Sequence, residues 1–177
     1  MICNDCPRRC GAERSKNRVG GVCLSPALPR IARAAPHYGE EPCISGENGS
    51  GTVFFSGCNL RCVYCQNYDI STGRFGETVT QERLRDIFLE LQDSGVHNVN
   101  LVTGSHYVNQ IVRALEAAKL KIPVVWNSSG YESVETLRTL EGLVQIYMPD
   151  MKYVLGNTWS QAREYLQKLA GPILIFS

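Results

Sequence analysis

Residues 51–65 read GTVFFSGCNLRCVYC, a short apolar segment that leads into three closely spaced cysteines. Residues 52–55 are β-branched or aromatic, which is typical of a buried strand. Cys58, Cys62 and Cys65 follow with C-x3-C-x2-C spacing. Structural zinc normally takes four protein ligands, whereas three thiolates can hold a [4Fe–4S] cluster and leave its fourth iron open. The spacing therefore favours a cluster with an outside ligand, and a zinc or redox-thiol site is the alternative.

Downstream of the cysteines, strand-like segments alternate with helical patterns of apolar residues. Thr80 is placed to cap one helix and Gly95 to end it, and Ser133 is placed to cap another. Such alternation predicts a parallel α/β sheet with right-handed crossovers, either doubly wound or curled like a barrel. In both cases functional groups collect in the loops after the strands. The predicted strands cover residues 52–55, 99–102, 124–126, 144–148 and 173–176, and the predicted helices include residues 84–91, 108–115, 134–140 and 162–169.

The composition is that of a globular protein. The chain has 177 residues, a formal net charge of +1 and 44% hydrophobic residues, so no overall charge draws it to nucleic acid or to a membrane. No apolar run approaches the roughly 20 residues of a membrane span, and the N-terminus lacks a signal-peptide core. All eight cysteines lie in the first 65 residues. This distribution favours metal-binding thiols in a reducing compartment over disulfides, and we expect a cytoplasmic protein.

The first 50 residues are rich in proline and glycine and have no sustained periodicity. We therefore predict a Cys-rich, irregular N-terminal segment over residues 1–50 that is ordered by metal, followed by an α/β domain over residues 51–177. Its first four cysteines have C-x2-C-x3-C-x12-C spacing and suit either zinc or an auxiliary [4Fe–4S] cluster. Cys43 is left over. Because basic residues lie nearby, a module that is held together by zinc and binds protein or nucleic acid is an alternative to an enzyme. The four cysteines are Cys3, Cys6, Cys10 and Cys23.

The cysteine loop resembles the radical S-adenosylmethionine (radical SAM) superfamily, whose hallmark is C-x3-C-x-aromatic-C after the first strand of a partial (β/α)6 barrel. Tyr64 occupies the aromatic position. Residues 6–11 and residues 40–46, which read EEPCISG, resemble the branch related to pyruvate formate-lyase activating enzymes. The resemblance implies a partial (β/α) barrel, here with about four βα units plus a fifth strand. Because no helix follows the fifth strand, we expect this barrel to be truncated at the C-terminus.

The resemblance also implies an activity. Members of the family use a reduced [4Fe–4S] cluster to cleave S-adenosylmethionine to methionine and a 5′-deoxyadenosyl radical, which abstracts a hydrogen atom from a substrate. It implies Cys58, Cys62 and Cys65 as cluster ligands and Tyr64 near the adenine. It implies an electron donor such as flavodoxin or ferredoxin and, for the activating-enzyme branch, a protein partner that receives a glycyl radical. No membrane or nucleic-acid partner is expected, and a catalytically incomplete fragment is a further alternative.

The loops after the third and fourth strands supply further candidates by the same resemblance. Asn127 and Ser128 match the family's third-strand loop, which contacts the cofactor. In the activating enzymes an aspartate stands at the position of Asn127 and helps to hold a monovalent cation, so this chain lacks one charged ligand for such an ion. Asp150 and Lys152 match the pattern after the fourth strand, and we predict that they bind the polar end of the cofactor. A solvated ion pair is the alternative.

After the second strand the chain departs from the family. Residues 103–107 read TGSHY, where many members carry Gly-Gly-Glu-Pro to engage the amino group of the cofactor. The hydroxyl of Thr103 or Ser105 is a candidate to replace the missing carboxylate. His106 is predicted to donate a proton or to contact substrate, with a packed, hydrogen-bonding histidine as the alternative. Lys152 and His106 are thus the predicted catalytic residues, and Tyr64, Thr103, Asn127, Ser128 and Asp150 are the predicted cofactor-binding residues.

Overall fold

The computed structural model describes residues 2–16, 18–72, 75–150, 157–168 and 173–174, which form a mixed α/β fold on one seven-stranded sheet. A 3-10 turn at Ser105–Tyr107 follows the fourth strand. In chain order the elements are β1 Arg30–His37, α1 Pro42–Ser45, β2 Ser50–Phe55, α2 Tyr68–Ser71, β3 Glu77–Thr78, α3 Gln81–Asp93, β4 Val99–Val102, α4 Val108–Ala118, β5 Val124–Ser128, α5 Val134–Leu140, β6 Ile146–Pro149, α6 Asn157–Lys168 and β7 Ile173–Leu174.

The parallel part of the sheet runs in chain order. Strands β2, β4, β5, β6 and β7 are successive parallel neighbours, as the alternating pattern predicts. Helices α3, α4, α5 and α6 all contribute to one hydrophobic core on the same face of the sheet, together with strand residues such as Val53, Leu101 and Trp126. A doubly wound sheet carries helices on both faces. Sequential order with helices on one face is instead consistent with the wall of a partial barrel.

The sheet face that points away from these helices is called here the inner face. Because side chains alternate along a strand, Val125, Ile146 and Met148 project from the inner face, where they pack against Ile44 of α1. A buried hydrogen bond from Asn98 Nδ2 to Ile44 O, 2.8 Å long, ties α1 to the start of β4. The short helix α1 therefore covers part of the inner face.

The N-terminal 50 residues contain one strand that the sequence does not predict. Residues 30–37 form β1, which pairs antiparallel with both β2 and β3. Only Ile31 of β1 is fully buried. The strand has three alanines and a proline and no apolar alternation. Its sequence pattern therefore does not predict a strand, and pairing with its sheet neighbours stabilises it. The stretch expected to be irregular is thus partly regular.

The helix boundaries agree with the predicted caps. Thr80 Oγ1 accepts a hydrogen bond from Arg83 N at 3.2 Å, and Ser133 Oγ accepts one from Thr136 N at 3.1 Å. Gly95 follows α3 with φ of +84°, the left-handed conformation that glycine adopts without strain. Within the part of the chain that the structure describes, no helix is both long enough and apolar enough to cross a membrane.

The segment before β1 is docked onto the sheet by a buried ion pair. The guanidinium of Arg14, which is fully buried, donates to Asp5 Oδ2 at 2.7 Å and to the carbonyl of His106 at 3.0 Å. Asp5 in turn accepts from Asn109 Nδ2 at 2.8 Å and, through its backbone carbonyl, from Thr136 Oγ1 at 3.0 Å. These contacts place the N-terminal segment against the carboxyl ends of β4 and β5.

Candidate functional site

The three-cysteine loop leaves the carboxyl end of β2. Cys58 and Cys62 are buried and Cys65 is partly exposed. Burial raises the pKa of Cys58, and the nearby thiolates of Cys62 and Cys65 add to this shift. The backbone N–H of Leu60 donates to Cys58 Sγ at 3.4 Å, a contact that favours the thiolate over the thiol.

The donor set of this loop fits an iron–sulfur cluster better than a single ion. All eight cysteines, each within the described ranges, are free thiols. Among the described residues, however, no three His, Cys, Asp or Glu side chains are grouped closely enough to hold one metal ion. Three thiolates on one loop can hold three irons of a [4Fe–4S] cluster and leave the fourth iron open.

Gly57 fits the start of the cysteine loop closely against the N-terminal segment. Its φ is +84°, and a Cβ added there would lie 2.6 Å from the carbonyl oxygen of Cys23, closer than real Cβ contacts. The same Cβ would also collide with the Ser25 hydroxyl. Any larger side chain at this position would displace the loop that carries Cys58 or the segment that covers it.

Asn59 joins the cysteine loop to two other parts of the chain. Arg8 Nε donates to the carbonyl of Asn59 at 2.8 Å, and Asn59 Nδ2 donates to the carbonyl of Tyr131 at 3.2 Å. The Arg8 guanidinium also lies over the Tyr131 ring, 5.7 Å from its centroid. The N-terminal segment, the cysteine loop and the loop after β5 are therefore held as one unit.

On the inner face, Asn127 lies beside a carboxylate from outside the parallel strands. Asn127 Nδ2 donates to Glu40 Oε2 at 3.2 Å. Burial raises the pKa of Glu40, whereas the nearby His37 and the Asn100 amide lower it. Asn100 belongs to β4 and is completely buried. Neither amide atom of Asn100 has a hydrogen-bond partner among the described residues.

Thr103, the residue after β4, has a strained backbone conformation. Its φ is +60°, and its N–H donates to the carbonyl of Asn127 at 2.9 Å. A β-branched residue rarely adopts this left-handed conformation, which costs on the order of 1–3 kcal/mol and is found most often at functional sites. The strain is consistent with the predicted role of Thr103 at the cofactor.

The hydroxyls of Ser105 and Ser128 do not face the inner side of the sheet. Both donate to the carboxylate of Glu132, Ser128 at 3.0 Å. Burial raises the pKa of Glu132 despite these two donors. Trp126 and Tyr147, which face the helices, line a water-sized cavity together with Ser128 and Glu132. Ser128 was predicted to bind the cofactor, but its side chain is engaged on the opposite face from Asn127.

His106 is buried and hydrogen-bonded rather than open to a ligand. Its Nε2 lies 2.9 Å from the carbonyl of Ser56, and since a carbonyl only accepts, Nε2 carries the proton. Burial lowers the pKa of His106 to about 4. The ring packs on Tyr107 with 4.3 Å between centroids. This placement matches the packed, hydrogen-bonding alternative and not a proton donor to substrate.

The remaining predicted residues lie in different parts of the structure. Tyr64 is 57% exposed on the cysteine loop. Asp150 shares the strand parity of Met148, and its N–H donates to the carbonyl of Ser128 at 2.8 Å, which extends the pairing of β5 with β6. Lys152 lies outside the described residues.

The N-terminal cysteines differ in exposure and in how near they lie to one another. Cys3, Cys6 and Cys23 are buried and Cys10 is exposed. The sulfurs of Cys10 and Cys23 both lie within 4 Å of the position that a Cβ on Gly21 would take. Burial raises the pKa of Cys3 to about 11, and the Cys23 thiolate adds to this shift. Cys43, the remaining cysteine, is exposed on α1.

Several residues of this site were not predicted from the sequence. Asn100 had a signal, because it is a polar residue inside the apolar strand Val99–Val102 and must face a polar partner or a ligand. The other residues had no such signal, since their partners lie far away in the sequence. They are Arg14, Glu40, Asn59 and Glu132.

Two comparisons with known proteins bear on this site. A family model described as "Radical SAM superfamily" matches residues 52–149, more than half of the chain. An uncharacterized protein of Methanocaldococcus jannaschii is 34% identical over 176 residues, a match that covers 94% of this chain and 49% of that protein. The chain thus spans about half the length of the curated relative that it matches.

Proposed function

Because this chain belongs to the radical SAM superfamily, we propose that it is an iron–sulfur enzyme that binds a [4Fe–4S] cluster through Cys58, Cys62 and Cys65. When bound, such a cluster supplies the electron that reductively cleaves S-adenosylmethionine and so generates a radical for hydrogen-atom abstraction. The observation that carries the proposal is that three free thiols lie on one loop at the carboxyl end of β2, beside the loops that follow β4 and β5.

The residues around the thiols hold the loop and shield it from water. Gly57 and Asn59 fit the loop against the N-terminal segment, which buries Cys58 and Cys62. His106 Nε2–H holds the carbonyl of Ser56, two residues before Cys58, so its geometry supports orientation of the loop. A buried, oriented site of this kind costs little reorganisation when a charged ligand binds.

We assign the remaining roles by resemblance and by position. Tyr64 lies near the adenine, Thr103 and Asn127 contact the polar groups of the cofactor, and Asp150 with Lys152 binds its charged end. Support comes from the strain at Thr103 and from the strand parity of Asn127 and Asp150 with inner-face residues. Ser128 is not retained in this set, because its hydroxyl is committed to Glu132.

The narrower proposal is an activase of the pyruvate formate-lyase activating type, in a partial barrel over residues 51–177, that takes its electron from flavodoxin or ferredoxin. Its support is the resemblance of residues 6–11 and 40–46, together with exposed apolar side chains on and near the cysteine loop. Such a surface suits a protein that docks beside the cluster. The exposed side chains are those of Val63, Tyr64, Tyr68 and Phe75.

We also propose that the N-terminal cysteines bind a second metal, either zinc or an auxiliary cluster. Support comes from the electrostatic coupling of Cys23 to both Cys3 and Cys6 and from the approach of Cys10 and Cys23 around Gly21. Four thiolates suit either centre. Because no three described ligands are now within reach of one ion, binding requires these side chains to move closer together.

The test is anaerobic reconstitution with iron and sulfide. We expect about four irons per chain for one cluster, and 5′-deoxyadenosine when S-adenosylmethionine and a reductant are added. Cys62→Ser should abolish both cluster and product. Cys43→Ser, which changes an exposed cysteine outside both sets, is the matched control and should retain both. A four-iron protein that forms no 5′-deoxyadenosine would contradict the proposed function.

The same preparation tests the second metal. About eight irons indicate an auxiliary cluster, and about four irons with one zinc indicate a structural zinc site. Cys6→Ser should remove the extra metal and leave the spectrum of the first cluster in place. Wild-type protein with about four irons and no zinc would overturn this part of the proposal.

A further inference from the structure

We propose that Glu40, Asn100 and Asn127 form a binding subsite for a primary ammonium group on the inner face of the sheet. The inference rests on the proposed function, since the ammonium group belongs either to S-adenosylmethionine or to a substrate bound beside it. Glu40 supplies the negative charge, and the two amides supply hydrogen-bonding groups near it.

The sheet register places the two amides on adjacent strands. Asn100 of β4 pairs with Val125 of β5, and Val102 pairs with Asn127, so both amides share the face of Val125 and Met148. Asn127 is near the carboxyl end of its strand, the end from which the cysteine loop also leaves β2. The subsite therefore extends the candidate site inward from the loops.

The position of Glu40 is built into the fold. Its backbone N–H donates to Ser45 Oγ at 3.1 Å, which ties it to the end of α1. The helix is held in turn by the bond from Asn98 Nδ2 to the Ile44 carbonyl and by the packing of Ile44 on Val125. Glu40 is therefore held in place by its hydrogen bond to α1, a short helix that is itself fixed to the sheet.

At this place one buried amide lacks hydrogen-bond partners, and the carboxylate beside it lacks an ion-pair partner. Asn100 is 0% exposed and lies near enough to Glu40 to affect its pKa, yet neither its Oδ1 nor its Nδ2 has a partner within hydrogen-bond distance among the described residues. Glu40 is half-buried, and none of the ion pairs among the described residues includes it. A ligand that brings both positive charge and N–H donors satisfies both groups at once.

The groups around the subsite favour an ammonium group over a divalent metal ion. One carboxylate and two neutral amides are fewer ligands than a divalent ion usually takes from carboxylates and carbonyls. An ammonium group offers N–H donors to Glu40 and to the Oδ1 of Asn100. Val102 and Met148, which flank Asn127 in the register, provide apolar surface for the carbon chain that carries the nitrogen.

The first arm of the test asks whether the ammonium group is that of the cofactor. Binding of S-adenosylmethionine and of 5′-methylthioadenosine, which lacks the amino-acid end, is measured by calorimetry on reconstituted protein without reductant. Glu40→Gln should weaken binding of S-adenosylmethionine by about tenfold or more and leave 5′-methylthioadenosine unchanged. Glu41→Gln, a change at the adjacent carboxylate, is the matched control and should alter neither.

The second arm asks whether the group belongs to a substrate. If Glu40→Gln leaves the cofactor affinity unchanged, n-butylammonium is titrated into the cofactor-saturated protein while the side-chain amide resonances of Asn100 and Asn127 are recorded. Saturable shifts in the wild type that are lost in Glu40→Gln assign the subsite to a substrate amine. The absence of an effect in both arms overturns the subsite.

Other outcomes separate this inference from the proposed function. Equal weakening of both nucleosides in Glu40→Gln indicates a structural role for Glu40 and overturns the subsite. Glu40→Asp, which keeps the charge, should restore part of the lost affinity. Wild-type protein that binds neither nucleoside overturns the proposed function and the subsite together.

Discussion

At the residue scale, His106 acts as a buried hydrogen-bonding group of the cysteine loop. Its Nε2–H is held by the carbonyl of Ser56, and its own carbonyl accepts from Arg14. Nδ1 has no partner among the described residues, so a second proton on the ring would have no acceptor. Burial, more than the nearby Arg14 charge, lowers the pKa of His106 to about 4.

This pKa predicts how stability depends on pH. An unfolded histidine titrates near 6.5, so below that pH the unfolded chain binds a proton that the folded chain excludes. The contribution of a neutral His106 is complete above pH 6.5 and declines as the pH falls toward about 4. When the pH is lowered from about 7 to about 5, the free energy of unfolding should therefore fall by about 2 kcal/mol more in wild type than in His106→Gln.

Urea unfolding of both proteins at the two pH values is the measurement. His37 and His97 are present in both proteins and cancel in the comparison. Parallel pH profiles for wild type and His106→Gln would show that folding does not lower the pKa of His106.

At the scale of elements, the N-terminal segment holds the loops of the sheet together. It contacts the cysteine loop through Arg8, the turn after β4 through Arg14, and the start of α5 through the Asp5 carbonyl. Only the Arg14–Asp5 pair among these contacts joins two buried charges. This pair is the contact whose loss leaves an uncompensated charge.

We expect Arg14→Gln to destabilise the protein by about 3 kcal/mol, because the carboxylate of Asp5 would remain buried without its cation. The N-terminal segment should then open more often, and alkylation of Cys58 in the metal-free protein should be faster than in wild type. Denaturant unfolding and mass spectrometry of iodoacetamide-treated protein measure the two effects.

Arg18→Gln is the control for this experiment. Arg18 also pairs with a carboxylate, that of Glu13, but both side chains are about two-thirds exposed, and such pairs contribute little. Its stability and its rate of Cys58 alkylation should match wild type. If Arg14→Gln behaves like Arg18→Gln, the segment is not held by the buried pair.

At the scale of the whole molecule, the main apolar core and the polar group of the candidate site lie on opposite faces of the sheet. The apolar side chains of α3, α4, α5 and α6 bury one face of the sheet. The inner face instead carries α1 and the polar group Glu40, Asn100 and Asn127. The loops at the carboxyl ends of the strands are held by single hydrogen bonds and the buried Arg14 pair, so a bound group there should add to the stability of the folded chain.

Loading the cluster should therefore raise the midpoint of thermal unfolding by at least about 5 °C, as expected for about 2 kcal/mol of binding free energy in a chain of this size. Removal of the iron with a chelator should reverse the gain. Anaerobic circular dichroism measures both states. A Cys58→Ser, Cys62→Ser double variant should gain less than wild type and keep at most the part that metal at the N-terminal cysteines adds. Equal gains in the two proteins would contradict a cluster at this loop.

Much of the fold was predictable because its signals are local. Thr80 and Ser133 cap the helices as predicted, and Val99–Val102 is a strand with the predicted bounds. The antiparallel strand β1 was missed, since its side chains lack alternation and its stability comes from pairing with β2. The hydrogen bonds that hold His106 to the Ser56 carbonyl and Ser128 to Glu132 also depend on packing that no local sequence pattern predicts.

By itself, the sequence determined the strand that leads into Cys58, Cys62 and Cys65, the alternation of strands with helices, and the family. These follow from spacing and periodicity, which are properties of neighbouring residues. Only the tertiary structure decided that Glu40 meets Asn127, that Arg8 holds Asn59, and that Asp5 contacts Thr136 across 131 positions. The physical reason is that hydrogen bonds and ion pairs join residues wherever the packed sheet brings them together, and the distance along the chain does not limit them.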